Sequence, residues 1–191
     1  VKGIPYQSVH VNLLEKEQQQ PAFLAKNPSG KVPCLENLQG KFSESLAILE
    51  WLEETHPTPA LLPQDPVSRL YVRQLALTLV AGTQPLQNLE TQLYARSTPE
   101  ERAEWGRYWV KKGLAAYEAL LYQQGKSGTY SFGGSITFAD LCLVPQCYNA
   151  LRMGIDLAYY PAVAKIYQNA LETLACQETH PSRHAHATSA P

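Results

Sequence analysis

The sequence predicts a two-part fold, a short α/β unit followed by an all-α bundle, and three observations carry it. Residues 6–13 alternate, with Val9, Val11 and Leu13 on one face, which is the period of a half-buried strand. Residues 57–66 carry Pro57, Pro59, Pro63 and Pro66, and no helix persists through such a run. From Leu70 onward apolar residues recur at helical spacing between recognisable helix starts.

In chain order, the strand over residues 6–13 leads into a polar, Gln-rich stretch over residues 15–26. A loop and a short helix around Ala22-Phe23-Leu24 are expected there. Asn27-Pro28-Ser29-Gly30 is turn chemistry, with restricted and permissive backbone positions side by side. Residues 32–35 form a short apolar strand. Its Pro33 has no N–H for a ladder, which places it at an edge or at the strand's entry and allows a cis Val32–Pro33 bond. Leu38-Gln39-Gly40-Lys41 makes a hairpin turn. Ser43-Glu44-Ser45 then opens a helix on which Leu46, Ile48, Leu49 and Leu52 recur at helical spacing. The order strand, helix, strand, strand, helix is the later portion of a thioredoxin-like unit.

Asp65-Pro66 starts the second part, an N-cap followed by proline at the first helical position. One long helix is expected from Leu70 through Tyr94, kinked at Pro85. Thr98-Pro99-Glu100-Glu101 is a capping box opening a helix to about Leu121. Thr137 to Asp140 repeats that logic before the apolar run Leu141 to Val144, so Asp140 reads as a structural cap. The last helix starts at Tyr160-Pro161 and ends near Glu178. The expected domains are residues 1–56, a linker over 57–66, a helical domain over 67–178, and a disordered tail over 179–191.

Composition narrows the function. Of 191 residues, 45% are hydrophobic and 17% charged, enough for a real core. A net charge of −1 offers no footprint for nucleic acid or an anionic membrane. Cys34, Cys142, Cys147 and Cys176 lack C-x-x-C spacing and read as buried thiols in a reducing compartment, which points to the cytoplasm. No apolar run is long enough to span a membrane. The chain begins at Val1 rather than at a methionine, which leaves room for an upstream segment.

No metal cluster, phosphate-cradling glycine loop or Ser/His/Asp constellation is evident. Gly125-Lys126-Ser127-Gly128 follows a helix rather than a strand and reads as a turn. His184-Ala185-His186 is a weak metal signal in a polar tail. The informative stretch is residues 27–54. Backbone N–H groups at Val32 and Ser45 can both address a peptide-like ligand, and a hydroxyl with free N–H groups at a helix start attracts a carboxylate. Glu44 beside them suits an ammonium group. The alternative is that Ser43 or Ser45 caps the helix while Glu44 favours its dipole.

Several strings of this chain resemble one family. They are Asn27-Pro28 with Val32-Pro33, Ser45-Leu46-Ala47-Ile48, and Pro57-Thr58-Pro59 with Leu61-Leu62-Pro63-Gln64-Asp65-Pro66. Two more are Gln84-Pro85-Leu86-Gln87-Asn88-Leu89 and Ala139-Asp140-Leu141-Cys142-Leu143-Val144-Pro145-Gln146. Together, from Lys2 to about Pro181, they resemble the zeta class of the cytosolic glutathione transferases.

That resemblance implies glutathione as cofactor, a small acidic substrate and a homodimer. It implies isomerisation of maleylacetoacetate to fumarylacetoacetate in tyrosine and phenylalanine breakdown, with glutathione transfer to α-halo acids. Maleylpyruvate isomerisation, or a non-catalytic binding or assembly module on the same fold, is the alternative. By position, Val32 and Pro33 would meet the cysteinyl part of glutathione, Glu44 and Ser45 its γ-glutamyl end, and Gln18 its glycine end. Gln84, Asn88 and Glu90 would contribute from the helical domain. The class usually has Gln where this chain has Glu44. Arg152 aligns with an arginine beside the acidic substrate; its alternative is a surface arginine at a helix C-terminus.

In the class, a Ser-Ser-Cys motif and an Arg-Val-Arg follow the first strand, and the serine stabilises the thiolate. This chain starts after that position, so a strand and helix of roughly 20–25 residues are expected upstream of Val1. No catalytic residue is expected within residues 1–191, and little isomerase activity from these residues alone.

Overall fold

The computed structural model describes residues 1–183. The chain divides into two compact units, Val1–Pro59 and a second beginning at Ala60.

The first unit is built on a hairpin. Strands β1 (Cys34–Asn37) and β2 (Gly40–Ser43) pair antiparallel, with Cys34 opposite Ser43 and Asn37 opposite Gly40. The Asn37 Oδ1 closes the turn by accepting from Gln39 N at 2.9 Å and Gly40 N at 3.1 Å. β1 starts one residue beyond Pro33, which cannot donate to a ladder, and the Val32–Pro33 bond is cis. Before the hairpin lie a 3₁₀ turn, Glu17–Gln19, and the one-turn helix α1 (Pro21–Leu24). After it comes α2 (Ser45–Thr55).

The strand expected over residues 6–13 does not form. A strand exists through pairing, and among the described residues no other strand runs beside this segment; Tyr6 and Val9 stand 74% exposed. At its end the Asn12 Oδ1 accepts from Leu14 N and Glu15 N, and Glu17 N donates to Asn12 O, so local polar bonds turn the chain instead. The segment is anchored at Lys2. Its Nζ donates to Glu53 Oε2 at 2.7 Å, His56 O at 2.6 Å and Pro59 O at 2.9 Å, placing a cation at the C-terminal end of α2.

The second unit is helical. Leu61 and Leu62, inside the proline-rich stretch, are buried, and Phe138 N donates to Leu61 O. Asp65 caps α3 (Pro66–Val80) through Ser68 N at 2.8 Å. The single kinked helix expected to Tyr94 is instead three pieces: α3, α4 (Gln84–Gln87) and α5 (Leu89–Ala95). Pro85 withholds an N–H and crowds the preceding turn, while Asn88, extended at ψ 141, restarts the chain by accepting from Glu90 N. Thr98 and Glu101 form the expected capping box at the head of α6 (Pro99–Gln124). α7 (Phe138–Arg152) and α8 (Pro161–Leu171) follow. The last expected helix also breaks, because Thr173 caps a separate α9 (Leu174–Thr179). The tail residues 184–191, with His184 and His186, lie outside the described residues.

The core is set by α3, α6, α7 and α8, with Leu75, Leu79, Leu114, Tyr117, Phe138, Leu143 and Ile166 buried between them. At Gly113 of α6 a Cβ would overlap the Thr83 side chain, so glycine there lets the segment before α4 lie against α6.

The four thiols are free. Cys142 and Cys147 are buried, and burial pushes each thiol up to about 12, with Asp140 adding to the effect at Cys142. An unfolded thiol ionises near about 8.5, so above that pH the unfolded state loses its proton first. Stability is therefore expected to fall as pH rises from about 8.5 toward 12. Denaturation midpoints of the native chain and a Cys147→Ala variant across that range check this; parallel pH curves would rule it out. Mass mapping after mild native alkylation should find label on half-exposed Cys34 and Cys176 before Cys142 and Cys147.

Candidate functional site

The residues singled out between Asn27 and Ser45 converge at one end of the hairpin. Since Cys34 pairs with Ser43, Pro33 and Glu44 flank the same end of the ladder, with Val32 and Ser45 one step further out. This end is built by a network around buried Asn27. Its Oδ1 accepts from Ser29 N at 3.1 Å and Ser29 Oγ at 2.9 Å, and its Nδ2 donates to Lys31 O at 2.6 Å. Gly30 turns at φ 62 so closely under Gln19 that a Cβ would lie 2.7 Å from Gln19 Nε2. Gln19 Nε2 in turn donates to Gly30 O at 3.2 Å.

Gln19 is thus structural, whereas the neighbouring Gln18 keeps a buried Oε1 with no partner among the described residues. Val32 lies outside the β1–β2 ladder, and its N–H and C=O make no backbone hydrogen bond among the described residues.

The backbone of Glu44 is what the sequence did not reveal. It stands at φ 71, ψ 110, a conformation costing a non-glycine residue about 1–3 kcal/mol, and such strain gathers at ligand sites. Glutamate is not a turn residue, so no sequence signal marked that conformation. Glu44 is itself the N-cap of α2, yet its side chain makes no capping bond, and neither Ser43 nor Ser45 supplies a hydroxyl cap. The serine cap of the expected alternative is therefore not what the chain adopts, while the Glu44 carboxylate does stand at the positive end of the α2 dipole. The first-turn N–H groups of an 11-residue helix, the Ser45 hydroxyl and an exposed carboxylate are left together and open. That set of donors and one acceptor matches an α-amino acid end group.

The remaining expected residues lie in the second unit. Gln84 opens α4, half-buried; Asn88 is the cap of α5; exposed Glu90 stands in the first turn of α5. Arg152 is the exposed last residue of α7, with no ion pair among the described residues. Asp140 is a structural cap. Its Oδ2 accepts from Thr137 N at 2.8 Å and Thr137 Oγ1 at 2.9 Å, and its Oδ1 from Ser131 N at 2.8 Å. Gly125 terminates α6 in a left-handed cap, so the Gly125–Gly128 run is a turn. Among the described residues no three His, Cys, Asp or Glu side chains group to hold a metal. A groove of about 750 Å³ between Tyr122, Thr129 and Lys165 takes in Ser127 and Gly128 of that turn but none of the expected ligand residues.

A family model described as the N-terminal domain of glutathione S-transferase matches residues 1–60. The chain is 39% identical over 185 residues to the maleylacetoacetate isomerase of Mus musculus, covering 96% of this chain and 84% of that protein. It is also similar to the holo structure of a bacterial maleylpyruvate isomerase described as a zeta-class glutathione transferase. That match has TM-score 0.94 and 37% identity over 98% of this chain and 90% of that one. The maleylacetoacetate isomerase of Anaeromyxobacter dehalogenans, solved with glutathione bound, matches with TM-score 0.87 and 42% identity over 98% of this chain and 88% of that one. With an uncapped α2 N-terminus beside Glu44, a cis Val32–Pro33 bond and kinship of this extent along nearly its whole length, the chain belongs to the zeta class of the glutathione transferases.

Proposed function

We infer that the chain is a glutathione-dependent cis–trans isomerase acting on maleylacetoacetate to give fumarylacetoacetate. The observation that carries this on the chain itself is the open α2 N-terminus next to Glu44. When bound, glutathione supplies a thiolate that adds to the cis double bond, permits rotation about the resulting single bond, and leaves by elimination.

The chain's own residues bind and orient. The Ser45 hydroxyl and first-turn N–H groups take the γ-glutamyl carboxylate, and the Glu44 carboxylate takes its ammonium. The backbone of Val32, held by the Pro33 turn, pairs with the cysteinyl amide. Gln18 is assigned to the glycine end, its unpartnered Oε1 being the supporting observation. Gln84, Asn88 and Glu90 complete the proposed set. Arg152 is assigned to a carboxylate of the acidic substrate, for which a planar two-pronged cation is suited. Maleylpyruvate is a substrate variant of the same chemistry, favoured by the similarity to a maleylpyruvate isomerase.

A second copy of the chain is the proposed partner, as resemblance to the class suggests. α3 turns Val67 and Leu70, each 67% exposed, and Leu77 outward at helical spacing, an apolar stripe suited to a dimer interface. Among the described residues no helix is long and apolar enough to cross a membrane; a cytoplasmic location is part of the same proposal.

Ser45→Ala removes a hydrogen bond to a charged group, worth about 1.5–3 kcal/mol, so glutathione affinity should fall roughly 10- to 100-fold by calorimetric titration. Unchanged affinity would reduce Ser45 to a helix-start residue. Glu44→Gln should weaken binding less than Glu44→Ala, since an amide oxygen still accepts.

Arg152→Leu should raise KM for a dicarboxylate, or lower its kcat/KM, while glutathione affinity stays nearly constant. Equal loss toward an uncharged electrophile would remove the carboxylate role. Leu70→Glu places a charge on the proposed dimer face, and sedimentation at micromolar concentration should then show a monomer. A native chain that already sediments as a monomer would defeat the dimer.

A further inference from the structure

Helix α4 is too short to be held by its own ladder. Side chains from outside hold it. Thr91 Oγ1 donates to Pro85 O at 2.8 Å, Trp105 Nε1 to Leu86 O at 2.7 Å, and Gln92 Nε2 to Gln87 O at 2.6 Å. Trp105 is covered on one face by the Arg96 guanidinium, 4.3 Å from its ring centre. All of these groups come from α5, α6 or the turn between them.

The Gln87 side chain turns the other way, to α7. Its Nε2 donates to Gln146 Oε1 at 3.0 Å, and Gln146 Nε2 donates back to Gln87 Oε1 at 2.9 Å. Gln146 is 1% exposed. A buried amide is expensive without partners, and two apolar side chains of similar shape would fill the same space at no such cost. What the reciprocal pair adds is direction, because both bonds form in one mutual orientation of the two amides. Gln84 and Asn88 stand at the two ends of α4, and α7 runs from Gln146 to its end at Arg152.

We propose that the Gln87–Gln146 pair is a positioning device that sets Gln84 and Asn88 in register with Arg152, and so couples glutathione binding to binding of the acidic substrate. The proposal rests on the ligand assignments made above. Neither glutamine touches a ligand; both act through the elements they join.

The test measures coupling in the full chain, with succinate as an unreactive dicarboxylate probe. Glutathione should tighten succinate binding at least tenfold in the native chain. In the double variant Gln87→Leu/Gln146→Leu that factor should drop below threefold. Each ligand alone should still bind within threefold of native, and the melting temperature should stay within a few degrees. Absence of coupling in the native chain, undiminished coupling in the double variant, or parallel loss of both affinities with the melting temperature would overturn the proposal.

Should the double variant not fold, Gln146→Glu decides. Gln146 is buried, and burial raises a carboxyl at such a position. A protonated carboxyl presents a donor and an acceptor as an amide does, so coupling, taken relative to the native chain at the same pH, should be weak at pH 8 and return at pH 5.5. Equal coupling at both pH values would overturn the proposal. Arg152→Leu serves as the separate control: retained succinate affinity would fault the Arg152 assignment and the proposal with it, whereas lost affinity together with undiminished coupling in the double variant would fault the pairing alone.

Discussion

The second unit turns on one buried carboxylate. Asp140 accepts from Thr137 N and Oγ1 at the head of α7 and from Ser131 N in the loop before it. Burial pushes its carboxyl upward from the usual range, and the hydrogen bonds from Ser131 and Thr137 hold it down. Ser131 also meets the Tyr117 hydroxyl at 2.7 Å, so the same network fastens α7 to α6. With its first turn fixed in this way, α7 packs along α3 and against α8. The positions of Gln146 and Arg152, further along it, are inherited from that anchor.

The first unit is held differently. Its sheet has two strands among the described residues, and its precision comes from polar side chains: Asn27 under the turn, Asn37 in the hairpin, Asn12 after the opening segment, Lys2 at the end of α2. The strain at Glu44 sits where β2 hands over to α2, at the start of a helix whose first turn its side chain leaves uncapped.

Helix starts were legible because an N-cap is a local device. Asp65, Thr98 and Thr137 each announced theirs within four residues. The breaks around Thr83 and Asn88 were not, because the apolar period continues through them and an asparagine cap inside a periodic run looks like any polar position. The strand over residues 6–13 failed for the converse reason: alternation is local, whereas pairing is not. At the site, Val32 with Pro33 and Glu44 with Ser45 were legible as two short motifs, and the hairpin register brings them to one end. The strained φ of Glu44 and the link from Gln87 to Gln146 left no local trace. Two of the strings that marked the family, those containing Gln87 and Asp140, prove to be load points of the helical unit.

Helix α8 begins on Pro161, which has no N–H, and its next two amides are taken by a residue of another helix. Glu118 of α6 accepts from Ala162 N at 2.9 Å through Oε1 and from Val163 N at 2.8 Å through Oε2. Most helices fray from the first turn, since the amides there answer to water or to a neighbour in sequence. Here that first turn answers to α6, so fraying it also breaks bonds to another helix. Protection of the Ala162 and Val163 amides from solvent exchange is thereby tied to α6 through Glu118, although 36 residues separate the end of one helix from the start of the other.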